Sequence, residues 1–172
     1  MRKFLKATFF LFISVALTLS CSSDDNNGSS SSMGTFTLDG ETYEVNMATI
    51  QSFNNIDEPT TDSTISLVST TGTESATISF RVLHSTANGI GGDYVSDDDN
   101  WDEVVGTYSA WLSNYSLVTD SGMNSTNQPI GPVKIIDHGD NQYTLEFDVT
   151  YSNNVTASAS VKTKFMVQVM EF

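Results

Sequence analysis

Chemistry in this chain concentrates in its acids. In the stretch GGDYVSDDDNWDEVVG, six carboxylates (Asp93, Asp97, Asp98, Asp99, Asp102 and Glu103) and Asn100 fall within eleven residues. Hard oxygen donors at this density are what calcium prefers. Asp98, Asn100 and Asp102 alternate like the first three ligand positions of a twelve-residue calcium loop. The pattern then breaks: Glu103 occupies the place of the turn glycine and Ser109 the place of the bidentate glutamate. A calcium site here has to be an irregular one completed by other loops. The same acids also suit a solvated loop, or the start of a short helix capped by Ser96, where negative charge favours the helix dipole.

Other reactive groups are sparse. His84 and His138 are the two histidines, and His138 lies between Asp137 and Asp140 in what reads as a hairpin loop. No Gly-x-Ser-x-Gly elbow accompanies them, and no His-Glu-x-x-His spacing offers a zinc site. Two acids for glycoside hydrolysis cannot be singled out, since contiguous loop carboxylates lack the shielding that raises one pKa. No catalytic residue is assigned, no cofactor other than calcium is suggested, and the expectation is a protein that is not an enzyme. Recognition falls instead to aromatics. Trp101, set among acids, and Trp111 are the candidate ligand contacts, with faces able to stack on a glycan or line an apolar cup.

Charge removes whole classes of partner. The chain of 172 residues has 7 Lys+Arg against 21 Asp+Glu, a net charge of −14. Arg2, Lys3 and Lys6 are three of those seven, so the remainder carries four basic against 21 acidic residues, a net charge of −17. Nucleic acid is excluded, because non-specific phosphate binding depends on clustered Lys and Arg. Cys21 is the single cysteine, so no intramolecular disulfide forms.

The elements holding these groups read as strands. From Thr35 onward, short segments alternate apolar and polar residues and are broken by turn signals, with no sustained helical period. Asp39-Gly40 predicts a type I′ hairpin, because both central residues of that turn need positive φ. A second hairpin centres on Thr71-Gly72-Thr73-Glu74, with Ile78, Phe80 and Val82 on one face. In GTYSAWLSNYSLV, Tyr108, Ala110 and Leu112 alternate with Trp111 and Tyr115, giving both faces something to bury or bind. Tyr143, Leu145, Phe147, Val149 and Tyr151 share one face of the next strand. After Asn153-Asn154, Val155, Ala157, Ala159, Val161, Phe165, Val167 and Val169 hold period two to the end. The small alanines leave room opposite the aromatic row. The prediction is an all-β domain over residues 35–172, a single antiparallel β-barrel or β-sandwich of about seven to nine strands.

Residues 1–20 combine an early basic cluster with an apolar run from Phe9 to Leu19, the layout of a signal peptide too short to span a bilayer. The junction Leu-Thr-Leu-Ser before Cys21 resembles a bacterial lipoprotein processing site, which implies acylation of that thiol. Residues 21–34 are polar and tether-like. Ser23-Asp24-Asp25 resembles the acidic surface-export signal of Bacteroidetes lipoproteins, and Asp62-Ser63-Thr64 resembles an O-glycosylation acceptor of the same group. With "DGETYEV", "GTYSAWL" and "GPVKIIDHGDNQYTLEFDV" placed as they are, the layout resembles the small lipocalin-like, calycin-type lipoproteins of Bacteroidetes, of flavobacterial type. The Gly-x-Trp signature of true lipocalins is absent. The resemblance implies an outer-membrane lipoprotein, anchored through Cys21 and facing the exterior. It would meet a glycan, a small apolar ligand or an envelope protein.

Overall fold

The computed structural model describes residues 33–54, 58–97 and 104–172. Twelve strands run in chain order: β1 Thr35–Leu38, β2 Glu41–Glu44, β3 Met47–Asn54, β4 Thr60–Thr71, β5 Glu74–Ser85, β6 Gly92–Ser96, β7 Thr107–Thr119, β8 Gly122–Asn127, β9 Val133–Asp137, β10 Gln142–Thr150, β11 Thr156–Lys164 and β12 Met166–Glu171. No helix occurs among the described residues. Hydrogen bonds order the strands β12-β3-β4-β5-β7-β6-β9-β10-β11-β1-β2, with β8 added to β7. The sheet curls into a half-barrel around one core.

The hairpins form where turn chemistry placed them. Asp39 and Gly40 both take positive φ, 52° and 82°, as a type I′ turn requires. Thr71 pairs with Glu74 across Gly72-Thr73, and the β4–β5 ladder stays in register along its whole length to Thr60 and Ser85.

Strand number exceeds the expected seven to nine, for reasons visible in the residues. The closing period-two run is two strands. β11 pairs with β10 and β1, whereas β12, one residue later, pairs with β3. Alternation continues through Phe165, so nothing in the pattern marks the change of partner. β8, GMNSTN, has no apolar face and is held at the edge of β7 alone. The expectation of a purely antiparallel sheet also needs correcting, because β12 with β3 and β6 with β7 are parallel.

Covalent links span the two ends of the strand order. Val45 and Asn46 carry the chain from β2 into β3, with the Val45 N–H donating to Gly34 O and the Asn46 N–H to Val68 O. The Asn46 side chain then bonds Thr70 twice, donating to its carbonyl and accepting from its N–H. Inside the curl, Phe80 lies 5.1 Å from Phe147 and 5.8 Å from Tyr108 between ring centroids. Ala159 sits opposite both Phe36 and Phe147 in register, the small-against-large arrangement that the alanines predicted. Each large apolar side chain buried this way contributes about 1.5–3 kcal/mol.

Along β7 the regular alternation fails. Ser79 faces Asn114 and Arg81 faces Ser109, so Phe80 alone on β5 opposes Ala110 to Ser113. Two buried serines close this bulge. Ser113 Oγ accepts from the Arg81 N–H at 3.0 Å, and Ser109 Oγ from the Leu112 N–H at 3.2 Å. Tyr108 and Tyr115 therefore both enter the core, while Trp111 and Leu112 face outward.

Candidate functional site

Three hairpin ends meet at one end of the sheet. Thr73 in the β4–β5 turn donates its hydroxyl to Asp120 in the β7–β8 turn at 2.8 Å, and the β1–β2 hairpin stands across from them. Between them lies an open cleft of about 350 Å³. Its β1–β2 wall is Leu38, Asp39, Glu41 and Tyr43. The β4 and β5 wall is Ser69, Thr71, Glu74, Ser75 and Ala76, and β7 supplies Leu117 and Thr119.

Each wall has a clear local cause. Leu38 and Ala76 belong to the inward faces of β1 and β5 and form a buried apolar floor. Tyr43 stacks on Phe36 with ring centroids 5.4 Å apart, which fixes its ring against the core and leaves its polar end toward the cleft. Asp39, Glu41 and Glu74 rise on the rim because hairpin ends put turn-flanking residues into solvent. Burial raises the Tyr43 phenol above its ordinary pKa, and the charges of Glu41, Glu74 and Asp39 raise it further. Ser69 is 5% exposed, and its hydroxyl has no hydrogen-bond partner among the described residues.

Cys21, Ser23, Asp24, Asp25, Asp98, Asn100, Trp101 and Asp102 lie outside the described residues, as does most of the segment considered for a short helix. Trp111 is exposed on the β7 bulge, where its carbonyl accepts from Asn127 Nδ2 at 3.1 Å; it does not line the cleft. Among the described residues no three of His, Cys, Asp and Glu are grouped to hold a metal ion. Ser63 of the Asp62-Ser63-Thr64 acceptor pattern is fully buried in β4, out of reach of a modifying enzyme in the folded chain. Asp62 is forked by Arg81, whose Nε lies 2.9 and 2.8 Å from its two oxygens and whose Nη2 also contacts it.

A buried polar chain escaped the sequence reading. Ser52 Oγ lies 2.8 Å from Ser63 Oγ, which lies 2.9 Å from His84 Nε2. His84 Nδ1 faces the Ser85 carbonyl at 3.2 Å, so Nδ1 carries the proton and Nε2 accepts from Ser63. Burial is the main cause lowering the His84 pKa, opposed by the Ser85 carbonyl, the Asp62 charge and the Gly89 backbone. A hydroxyl facing a neutral imidazole is the beginning of nucleophile activation, yet the hydroxyl that touches the ring is enclosed. The signal for this contact lay in the β4–β5 register, which puts Ser63 opposite Val82 and diagonal to His84. His138 instead meets Thr144 Oγ1 at 2.8 Å, while Asp137 caps the Gly139 N–H.

Compared with known proteins, the chain matches no family model, no curated sequence and no solved structure.

Proposed function

We propose that this chain is a non-enzymatic binding protein, acylated at Cys21, anchored in the outer membrane and facing the exterior. The cleft between the three hairpin ends is its binding site. The signal-like residues 1–20, the single cysteine at the junction and Ser23-Asp24-Asp25 support the anchor and its orientation. The observation that carries the binding reading is the cleft itself. Its volume of about 350 Å³ is on the scale of small-ligand sites, roughly 300–1,000 Å³, and it joins an apolar floor to a few placed polar groups, as such sites do. A calycin-like carrier is the related alternative, with its ligand at this end of the curl, because aromatic rings fill the middle.

Two measurements test the proposal. Cells fed an alkyne-tagged fatty acid should label the wild-type chain and not Cys21→Ser, and protease added to intact cells should digest the labelled protein. Absence of label, or protection from protease, contradicts the anchor or its orientation. Thermal melts against glycans, fatty acids and amines test binding. A ligand at about a hundredfold excess over its Kd stabilises the native state by about 2.7 kcal/mol, a shift of several degrees. No shift with any member of the panel counts against the cleft as a site.

A further inference from the structure

Resting on the reading of the cleft as a binding site, we infer that its ligand is an organic cation, an ammonium or guanidinium group carried on an apolar stem. Three carboxylates from two separate hairpins, Asp39, Glu41 and Glu74, stand around one opening. None of them has a basic partner among the described residues, where Arg81 is engaged with Asp62 and where Lys134, Lys162 and Lys164 line no part of the cleft. Burial first, and then the charges of all three acids, raise the pKa of the Tyr43 phenol on the cleft wall.

Charge alone would not make a site. The second observation is Ser69, about 95% buried, lining the cleft, with its hydroxyl unpaired. That hydroxyl opens to the cleft, and a ligand N–H entering there would find an acceptor in it. Asp39, Glu41 and Glu74 are not grouped as metal ligands, and the apolar floor of Leu38 and Ala76 suits the stem of an extended molecule. Leu38, Ala76 and Leu117 accept its stem, and Tyr43, packed on Phe36 with its polar end toward the cleft, stands beside the cation. An acid-rimmed opening also concentrates cations and speeds their arrival, an effect that weakens with salt.

The test is a titration of the ¹⁵N-labelled full chain, followed by NMR at the Gly40 and Gly72 amides in the turns that flank the cleft. The probes are phenethylammonium, its neutral isostere 2-phenylethanol, and lysine capped at both ends. Phenethylammonium should move both amides and bind at least about tenfold more tightly than 2-phenylethanol. Glu41→Gln and Glu74→Gln should each weaken it by roughly two- to fivefold. Ser69→Ala should also weaken it while leaving the fold intact, and Asp148→Asn, an exposed acid on β10, should leave it unchanged. Tighter binding of capped lysine than of phenethylammonium identifies the cation as a partner protein's side chain; the reverse order identifies a free amine. Equal binding of 2-phenylethanol overturns the inference and leaves the binding site standing. Equal weakening by Asp148→Asn also overturns it, since the effect would then be one of net charge. If neither probe binds and an acid or glycan does, the inference fails alone; if nothing binds in the cleft, the reading beneath it fails as well.

Discussion

Tyr108 and Tyr115 stand seven residues apart on β7, a spacing that puts side chains on opposite faces of a regular strand, yet both rings lie in one core. The bulge from Ala110 to Ser113 reverses the alternation, and Ser109 and Ser113 satisfy the backbone N–H groups of Leu112 and Arg81 that it would otherwise strand. Removing either hydroxyl leaves a donor without its acceptor in a part-buried setting, at a cost of about 1–3 kcal/mol. Ser109→Ala and Ser113→Ala should each lower the urea midpoint. Their sum should not be additive if they support one bulge. Unchanged midpoints for both would remove the serines from this role.

Tyr151 packs its ring on Tyr115 with centroids 4.8 Å apart, but its hydroxyl is buried without a hydrogen bond among the described residues. Burial pushes that phenol far above its ordinary pKa, with smaller contributions from Tyr108 and Tyr115. Tyr151→Phe keeps the ring and removes the stranded group, so it should stabilise the fold by about 1 kcal/mol and raise the melting midpoint by several degrees. A lower midpoint would show that the hydroxyl is satisfied in solution.

Gly131 has φ of 146°, and a Cβ there would lie 2.2 Å from Asp148 O. The segment around it is held by Tyr108, whose hydroxyl reaches the Pro129 and Gly131 carbonyls at 3.1 and 3.0 Å. Gly131→Ala must displace backbone on β10 and should cost on the order of 2–4 kcal/mol. Gly40→Ala, where nothing crowds the new methyl, is the comparison and should cost less.

His84 gives the fold an acid sensitivity. Because burial lowers its pKa from 6.5 in the folded chain, the unfolded chain binds the proton more readily. The stability it supports is whole above about pH 6.5 and declines as pH falls below it, by at most about 1.4 kcal/mol per pH unit. Urea midpoints should fall between about pH 7.5 and pH 5.5 in the wild type and fall less in His84→Gln. Equal slopes would exclude His84 as the source.

Much of the architecture was legible because turn chemistry and period two are local. Asp39-Gly40 and Gly72-Thr73 specified their hairpins, and Ile78, Phe80 and Val82 specified an inward face. What stayed hidden was long-range. Nothing in the β7 sequence shows that four residues will oppose Phe80, and nothing between β11 and β12 shows a change of partner. The cleft was hidden for the same reason. Asp39, Glu41 and Tyr43 meet Ser69, Glu74 and Leu117 only once hairpins distant in sequence are brought to the same end of the sheet. Sequence density marks the run from Asp93 to Glu103, whereas the acids that share the cleft come from two hairpins distant in sequence.

Everything proposed for this chain depends on the cleft being where it binds. Thr71 is exposed at its edge, so Thr71→Trp fills the opening without entering the core. Melting both proteins against the same panel of amines, glycans and fatty acids gives the most direct test. A ligand that raises the wild-type midpoint by several degrees should raise that of Thr71→Trp by little or nothing. An equal shift in both proteins would place binding elsewhere on the molecule and contradict the account.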